Sequence, residues 1–189
     1  SDIPGEEKPV ELPDASRLDE VVRIAQAKFD ARLYDQALAD LTTAINRYPL
    51  VSSAPGAYLL LAHIYEQQRR SDDAMASYVE LRSKFPTALE AAEGGISLAD
   101  LLLRSKREDR DSAALAVLND VVKRHPKSLW SPRALARKAG IEDRIRLRVD
   151  DQQLGGSVPA ALVSYRMLVE NYPTADDQEG NLDKLAGMY

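Results

Sequence analysis

The two histidines, His63 and His125, are the side chains of this sequence best suited to metal binding or to proton transfer near neutral pH. On a helix, His63 would share a face with Glu66 and Gln67, which could in principle place two ligands on one metal ion. A polar surface role is the simpler interpretation, and we predict no metal site. His125 stands before Pro126, where the sequence elsewhere carries Tyr or Phe, so we interpret it as a partly buried ring.

Adjacent carboxylates could act as a general acid and base, and they occur at Asp72-Asp73, Asp150-Asp151 and Asp176-Asp177. Helix capping or loop solvation explains all three pairs, because Asp favours both places. No Ser or Lys has a His or an acid at a spacing that suggests an activated nucleophile, and the sequence contains no Cys. We therefore predict a protein that is not an enzyme and has no catalytic residue.

Glycine pairs at Gly94-Gly95 and Gly155-Gly156 raise the question of a phosphate-binding turn. Neither pair is followed by the Lys-Ser or Lys-Thr of a phosphate loop, or by the third glycine of a dinucleotide fingerprint, so we predict no cofactor. Gly94-Gly95 interrupts a helical pattern, where each glycine costs about 1 kcal/mol relative to alanine. Close approach of the preceding helix is the favoured explanation, and a kink is the alternative.

Positive charge is concentrated between residues 104 and 148, which contain 13 basic and 6 acidic side chains in a chain of net charge −5. Four arginines recur there at steps of four, seven and four: Arg133, Arg137, Arg144 and Arg148. This spacing predicts a basic stripe along one helix face. Simple solvation, an acidic peptide, an anionic lipid or the acidic end of another subunit would each fit it. We expect no nucleic acid, since Trp130 is the only interleaved aromatic residue and the overall charge is negative.

The elements that position these residues are marked by a repeated ring-proline pair. It occurs at Tyr48-Pro49, Phe85-Pro86, His125-Pro126 and Tyr172-Pro173. An alanine stands twelve residues before each of these prolines and another stands thirteen residues after it. Apolar residues between these points recur at steps of three and four, and proline ends a helix, so we predict pairs of antiparallel helices in close contact.

The predicted units span about residues 15–49, 50–86, 87–126 and 127–173, followed by a final helix at about 175–189. Longer loops are expected in the third unit (Arg104 to Asp111) and in the fourth (about Val149 to Pro159). Residues 1–14 contain three prolines and an acidic excess without an apolar period. We predict that they form a disordered tether of about 40 Å, at roughly 3.1 Å per residue.

This register resembles the tetratricopeptide repeat over about residues 16 to 189. Small residues recur on the first helices (Ala25, Ala62, Ala99, Ala139, Ala186) and on the second (Ala37, Ala74, Ala114, Ala161), with larger ones at Leu41, Tyr78, Leu118 and Tyr165. The resemblance implies an all-α fold, a right-handed superhelical solenoid of antiparallel helix pairs with about 4.5 repeats. The prolines lie 37, 40 and 47 residues apart, whereas the family repeat has 34 residues.

In this family, partners contact the concave face formed by the first helices, so the resemblance implies a groove. Its positions fall on Gln26, Phe29, Leu59, His63, Glu66, Ile96, Asp100, Leu103, Arg133 and Asp143. The family's clamp for a C-terminal carboxylate uses Lys and Asn, whereas Leu, His, Ile and Asp stand in the corresponding places here. We therefore expect an amphipathic or extended peptide, bound by apolar contacts and by Arg133.

The long connections between units resemble those of bacterial cell-envelope members of the family, which favours the periplasm or envelope over the cytoplasm. The sequence begins at Ser1 without Met, so we expect a processed or truncated piece with a possible membrane tether before Ser1. The predicted function is a protein-protein interaction scaffold or adaptor that binds a protein or peptide through the groove and through the basic band of residues 104–148 in the third and fourth units. A self-assembling structural module of a larger multidomain protein, whose solenoid ends stack between chains, is the alternative, and the sequence leaves the oligomeric state open.

Overall fold

A computed structural model describes residues 14–189, so the predicted tether lies outside the described residues except for Asp14, which begins the first helix. The elements in order are α1 (Asp14–Asp30), α2 (Tyr34–Arg47), α3 (Ala54–Gln67), α4 (Ser71–Lys84), α5 (Leu89–Arg104), α6 (Arg110–Arg124), α7 (Trp130–Arg144), β1 (Arg148–Asp151), β2 (Gly156–Pro159), α8 (Ala160–Asn171) and α9 (Gln178–Ala186). Four antiparallel helix pairs follow one another, and α9 packs on the last of them. The predicted all-α solenoid is confirmed.

Alanine contacts hold the two helices of each unit together. Ala62 and Ala74 in the second unit and Ala139 in the fourth are completely buried, and Ala161 is nearly so. Each second helix then ends at the ring residue before proline, whose N–H still donates to the carbonyl four residues back, as Phe85 does to Leu81 at 2.9 Å. Proline cannot donate such a bond, so the helix stops there.

Ala186 does not occupy the contact position that the alanine pattern predicts. It is exposed, because α9 packs on α8 and no further helix follows within the described residues. The alanine therefore marks the repeat register without making a helix-helix contact.

The first helices of three units end in the same unusual cap. Arg32, Arg69 and Arg146 have left-handed backbones, with φ of 61°, 59° and 53°. After Arg69, the N–H of Arg70 donates to the Tyr65 carbonyl at 2.9 Å, which closes the last helical turn. Glycine usually takes this position, because a side chain is strained there.

The solenoid curves toward its first helices. α1 contacts α3, α3 contacts α5 and α5 contacts α7, whereas no comparable contact joins α2, α4, α6 and α8 in the described part of the chain. Neighbouring helices lie closest on the inside of a curve, so the first helices form the inner face and the second helices form the outer one.

Gly94 and Gly95 lie in an unbroken helix, α5, at its closest approach to its neighbours. A Cβ atom at Gly94 would lie 2.9 Å from Cδ1 of Tyr78, and one at Gly95 would lie 2.6 Å from Cγ2 of Val121. The favoured explanation, close approach by the preceding helix, is confirmed for Gly94, and α6 adds a second approach at Gly95.

The long fourth-unit loop forms a β-hairpin that the sequence did not predict. β1 and β2 pair antiparallel, with Val149 opposite Val158. The Asp151 carboxylate accepts the N–H groups of Gln153 and Leu154, both at 2.9 Å, which closes the turn. Within residues 14–189, no helix is long and apolar enough to cross a membrane.

Candidate binding site on the inner face

The inner face carries ion pairs that run from one first helix to the next. Glu66 on α3 lies 3.5 Å from Arg104 on α5. Asp100 on α5 accepts two bonds from Arg137 on α7, at 2.9 and 3.0 Å. Through these contacts, α3, α5 and α7 bring Glu66, Arg104, Asp100 and Arg137 together on one side of the helices. These pairs also neutralise much of the charge of the inner face.

In the second unit, two residues of this face, His63 and Glu66, contact the buried Tyr78. The Tyr78 hydroxyl donates to Glu66 at 2.5 Å, and the His63 ring meets the edge of the tyrosine ring at 6.1 Å between centroids. Burial, and then the neighbouring Glu66 carboxylate, raise the pKa of Tyr78 far above its ordinary value. His63 is therefore part of an aromatic contact. Across the described residues, no group of three or more His, Cys, Asp or Glu could hold a metal ion.

Ile96 is the predicted groove residue that the structure contradicts. It is only 5% exposed and lies in the core with Ala62 and Ala99. Because α3 and α7 flank α5 on both sides, this position points at a neighbour and cannot meet a partner. His125, predicted to be partly buried, is 8% exposed.

The remaining predicted groove residues differ in how much surface they offer. Gln26 is exposed and donates to Asp30 at 2.9 Å, and Asp143 is exposed. Three apolar positions are half-buried: Phe29, Leu59 and Leu103. They pack against the core, Phe29 with its ring 5.6 Å from that of Tyr34. The apolar surface available to a partner in the first three units is therefore small.

The basic stripe is interrupted, and the inclusion of Arg148 in it is wrong. α7 ends at Arg144, and Arg148 lies in β1, where its guanidinium donates to Ser157 of β2. Arg144 donates to Asp111 at 2.6 Å, and this bond lowers the pKa of the Asp111 carboxyl. The helix ends early because the backbone turns left-handed at Arg146, which no glycine signals in the sequence.

Arg133 is the least constrained arginine of the stripe. It lies 3.7 Å from Asp176, whose side chain is 89% exposed, and its guanidinium stacks over the Trp130 ring at 5.0 Å. It borders a cavity of about 870 Å³ that lies between α7, the turn before α7 and the turn that joins α8 to α9. Leu129, which is 62% exposed, and Tyr172 supply apolar walls.

A buried polar cluster lies between α7 and α8 and was not predicted from the sequence. Lys138 Nζ donates to Ser164 Oγ at 2.8 Å, Ser164 donates to Glu142 at 2.6 Å, and Lys138 pairs with Glu142 at 2.9 Å. Ser164 is completely buried, so its hydroxyl cannot meet a substrate. The spacing of Lys138 and Glu142 was visible as a helical pair. Ser164, 22 residues beyond Glu142, was not.

Comparison with known proteins agrees with the fold. A family model for the tetratricopeptide repeat matches residues 57–88. A tetratricopeptide repeat protein from Parabacteroides merdae ATCC 43184 has a similar structure, with 16% identity and a TM-score of 0.63 over 90% of this chain and 60% of that protein. A MamA structure shares 15% identity at a TM-score of 0.59, over 90% of this chain and 87% of that one. A MamA RS-1 double mutant shares 15% identity at a TM-score of 0.56, over 94% of this chain and 93% of that one.

The chain spans about 60% of the length of the Parabacteroides protein, and at these identities the likeness shows the fold alone. No curated protein matches the sequence. The chain therefore has the fold of tetratricopeptide repeat proteins, and residues 57–88 carry the repeat itself.

Proposed function

We propose that this protein is a scaffold that binds an acidic, partly apolar segment of another protein at the inner face of its fourth unit. Tetratricopeptide repeats are protein-protein interaction modules, and this chain has their fold. The observation that carries the specific proposal is the cavity beside Arg133. An apolar wall and an exchangeable cation occur together in this cavity.

Arg133 can exchange partners because its present one is weakly held. At 3.7 Å from a carboxylate that is 89% exposed, the pair is screened by water, so it contributes little stability. A partner carboxylate that enters the cavity would be better desolvated beside Trp130 and would replace Asp176. The Arg137–Asp100 pair is bidentate and is expected to stay closed.

The proposal is tested with peptides selected from a random twelve-residue library on the immobilised protein. We expect selected peptides to combine Asp or Glu with apolar residues. Arg133→Ala and Leu129→Ala should each weaken their binding about tenfold, measured by fluorescence anisotropy. Arg124→Ala is the matched control, since Arg124 is an ion-paired arginine on the outer helix α6. Binding that survives both cavity substitutions would contradict this site.

We also propose that the scaffold works in the bacterial cell envelope. The support is the resemblance of its long, ring-proline connections to those of envelope members of the family. Fractionation of cells that express the complete gene with a C-terminal tag tests the location, and a purely cytoplasmic signal would contradict it.

Self-assembly through the solenoid ends remains the alternative function. Apolar side chains are exposed at both ends, with Ile24 at 41%, Leu182 at 47% and Tyr189 at 78%. Leu182→Asp should disrupt such stacking, and the sedimentation experiment described next includes this variant.

A further inference from the structure

The two edges of the β-hairpin are chemically different. The Ala160 N–H donates to the Leu147 carbonyl at 2.8 Å, and Val149 lies opposite Val158. In an antiparallel pair, hydrogen-bonded and non-hydrogen-bonded positions alternate. The N–H and C=O groups of Leu147, Val149 and Asp151 therefore face β2, whereas those of the intervening β1 residues point away from the hairpin.

The outer edge of β2 is closed to another strand. Pro159 has no N–H to offer, and the Ser157 carbonyl already accepts a bond from the Arg148 guanidinium at 2.5 Å. Proline and a charged side chain are common means of protecting a sheet edge from further pairing.

The outer edge of β1 has no such protection. The sheet consists of β1 and β2 alone in the described part of the chain, so no strand lies on the far side of β1. Arg148 and Asp150 are exposed, and Val149 between them is 37% exposed. Arg148 and Asp150 each present one N–H and one C=O to an incoming strand.

We propose that β1 pairs with β1 of a second copy of this chain, antiparallel about a two-fold axis at Val149. In this register, Arg148 of each copy stands opposite Asp150 of the other, so the pairing is self-complementary in charge. Each of the two Arg148–Asp150 pairs would make two main-chain hydrogen bonds, four in all. The two Val149 residues would face each other as a close, non-hydrogen-bonded pair. The result is a four-stranded sheet with β2 on each outside edge.

This pairing makes a weak dimer. Two four-residue strands bury much less than the roughly 1,200 Å² of a stable interface, so we expect a dissociation constant on the order of 100 µM. In the dimer, Arg148 exchanges its bonds to Ser157 for the carboxylate of the second copy's Asp150, which is the stronger acceptor because it is charged. The outer edge of β2 is then protected by Pro159, which has no N–H.

Paired proline variants test which edge is used. Asp150→Pro removes an outward N–H from β1, and Ser157→Pro removes one from β2 at the directly opposite position, so both leave the main-chain bonds between β1 and β2 in place. Ser157→Pro also removes the hydroxyl that accepts from Arg148. Sedimentation equilibrium from about 10 µM to 1 mM should show a dimer for the wild type and for Ser157→Pro, and at least tenfold weaker association for Asp150→Pro. Protection of the Val149 and Val158 amides from hydrogen exchange confirms that each hairpin is intact.

Charge reversal tests the register without a change in the backbone. Arg148→Asp and Asp150→Arg should each be monomeric alone, because like charges then face each other. Mixed in equal amounts, they should form a heterodimer, since one strand carries two carboxylates and the other two guanidinium groups. A mixture that stays monomeric overturns the proposal. A wild type that is monomeric at 1 mM, or whose association is lost with Leu182→Asp but kept with Asp150→Pro, also overturns it.

Discussion

The second and fourth helix pairs share one frame but fill it with different chemistry. Ala62, Ala74 and Tyr78 occupy the same places in the second unit as Ala139, Ala161 and Tyr165 in the fourth, and all are buried. Beside this frame, the second unit has Leu61, Tyr65 and Ser77, and the fourth has Lys138, Glu142 and Ser164. Ser77 donates to the Asp73 carbonyl of its own helix, whereas Ser164 bridges two helices through its charged neighbours.

The difference shows that the buried alanines determine how the two helices of a unit pack. The neighbouring positions determine whether the rest of the interface is filled by apolar side chains or by paired polar ones. An apolar filling stabilises by burial. A charged filling is tolerated because each charge has a partner within 2.9 Å. The turns differ in the same way, because Arg69 leads directly into α4, whereas Arg146 leads into the hairpin after the same helix cap.

The largest expected effect comes from breaking the charged cluster of the fourth unit. Glu142→Leu leaves the Ser164 hydroxyl without its acceptor and Lys138 without its counter-charge, in a site where the Lys138 side chain is only 16% exposed. We expect the free energy of unfolding to fall by about 3 kcal/mol, measured by urea denaturation.

The matched control converts the fourth unit to the residues of the second. In Lys138→Leu with Glu142→Tyr, no charge remains, and Ser164 can donate to a carbonyl of its own helix as Ser77 does. We expect stability within about 1 kcal/mol of the wild type. If the double variant were as unstable as Glu142→Leu, the two units would not share an equivalent frame.

A smaller effect is expected at the helix caps. Arg69→Gly and Arg146→Gly relieve the same left-handed strain, and each should raise the unfolding free energy by about 0.5 to 1 kcal/mol in urea denaturation. Arg69→Ala and Arg146→Ala are the controls, since they remove the charge but keep the strain. A gain in only one unit would mean that the hairpin alters the cap before it.

The smallest effect is local and depends on pH. Bonds from the Leu154 N–H above all, and then from Gln153 and Arg166, lower the pKa of Asp151 below its ordinary value near 3.8. A lowered pKa in the folded state stabilises the hairpin above pH 3.8, and this contribution is lost as pH falls through the lowered value. The protection factors of the Gln153 and Leu154 amides, which are corrected for the intrinsic pH dependence of exchange, should therefore fall on acidification from pH 5 to about 2.

Two controls accompany this measurement. Asp151→Asn should remove most of the pH dependence, because the amide does not titrate. The Arg69 and Arg70 amides donate to backbone carbonyls, so their exchange should show no comparable loss of protection. Equal changes in both turns would indicate global acid unfolding.

The helix pairs were predictable because their signal is local and repeated, as Ala62, Ala74 and Pro86 illustrate. Ile96 was placed wrongly because a family offset does not reveal that α3 and α7 both press on α5. Arg148 was placed wrongly because the helix ends where the backbone of Arg146 turns left-handed. A glycine at that position would have predicted the helix end, but an arginine does not. The link between Ser164 and Glu142 could not be seen, since it depends on how α7 and α8 are rotated against each other.

Gly94 and Gly95 have a mechanical consequence. A solenoid deforms like springs in series, because each unit contacts only its neighbours. At these glycines the α5 backbone lies directly against Tyr78 on one side and Val121 on the other, because glycine has no side chain to hold the helices apart. We expect this joint to be stiff, so that bending or stretching of the chain is taken up elsewhere. A partner that alters the curvature of the groove would therefore do so mainly in the first and fourth units.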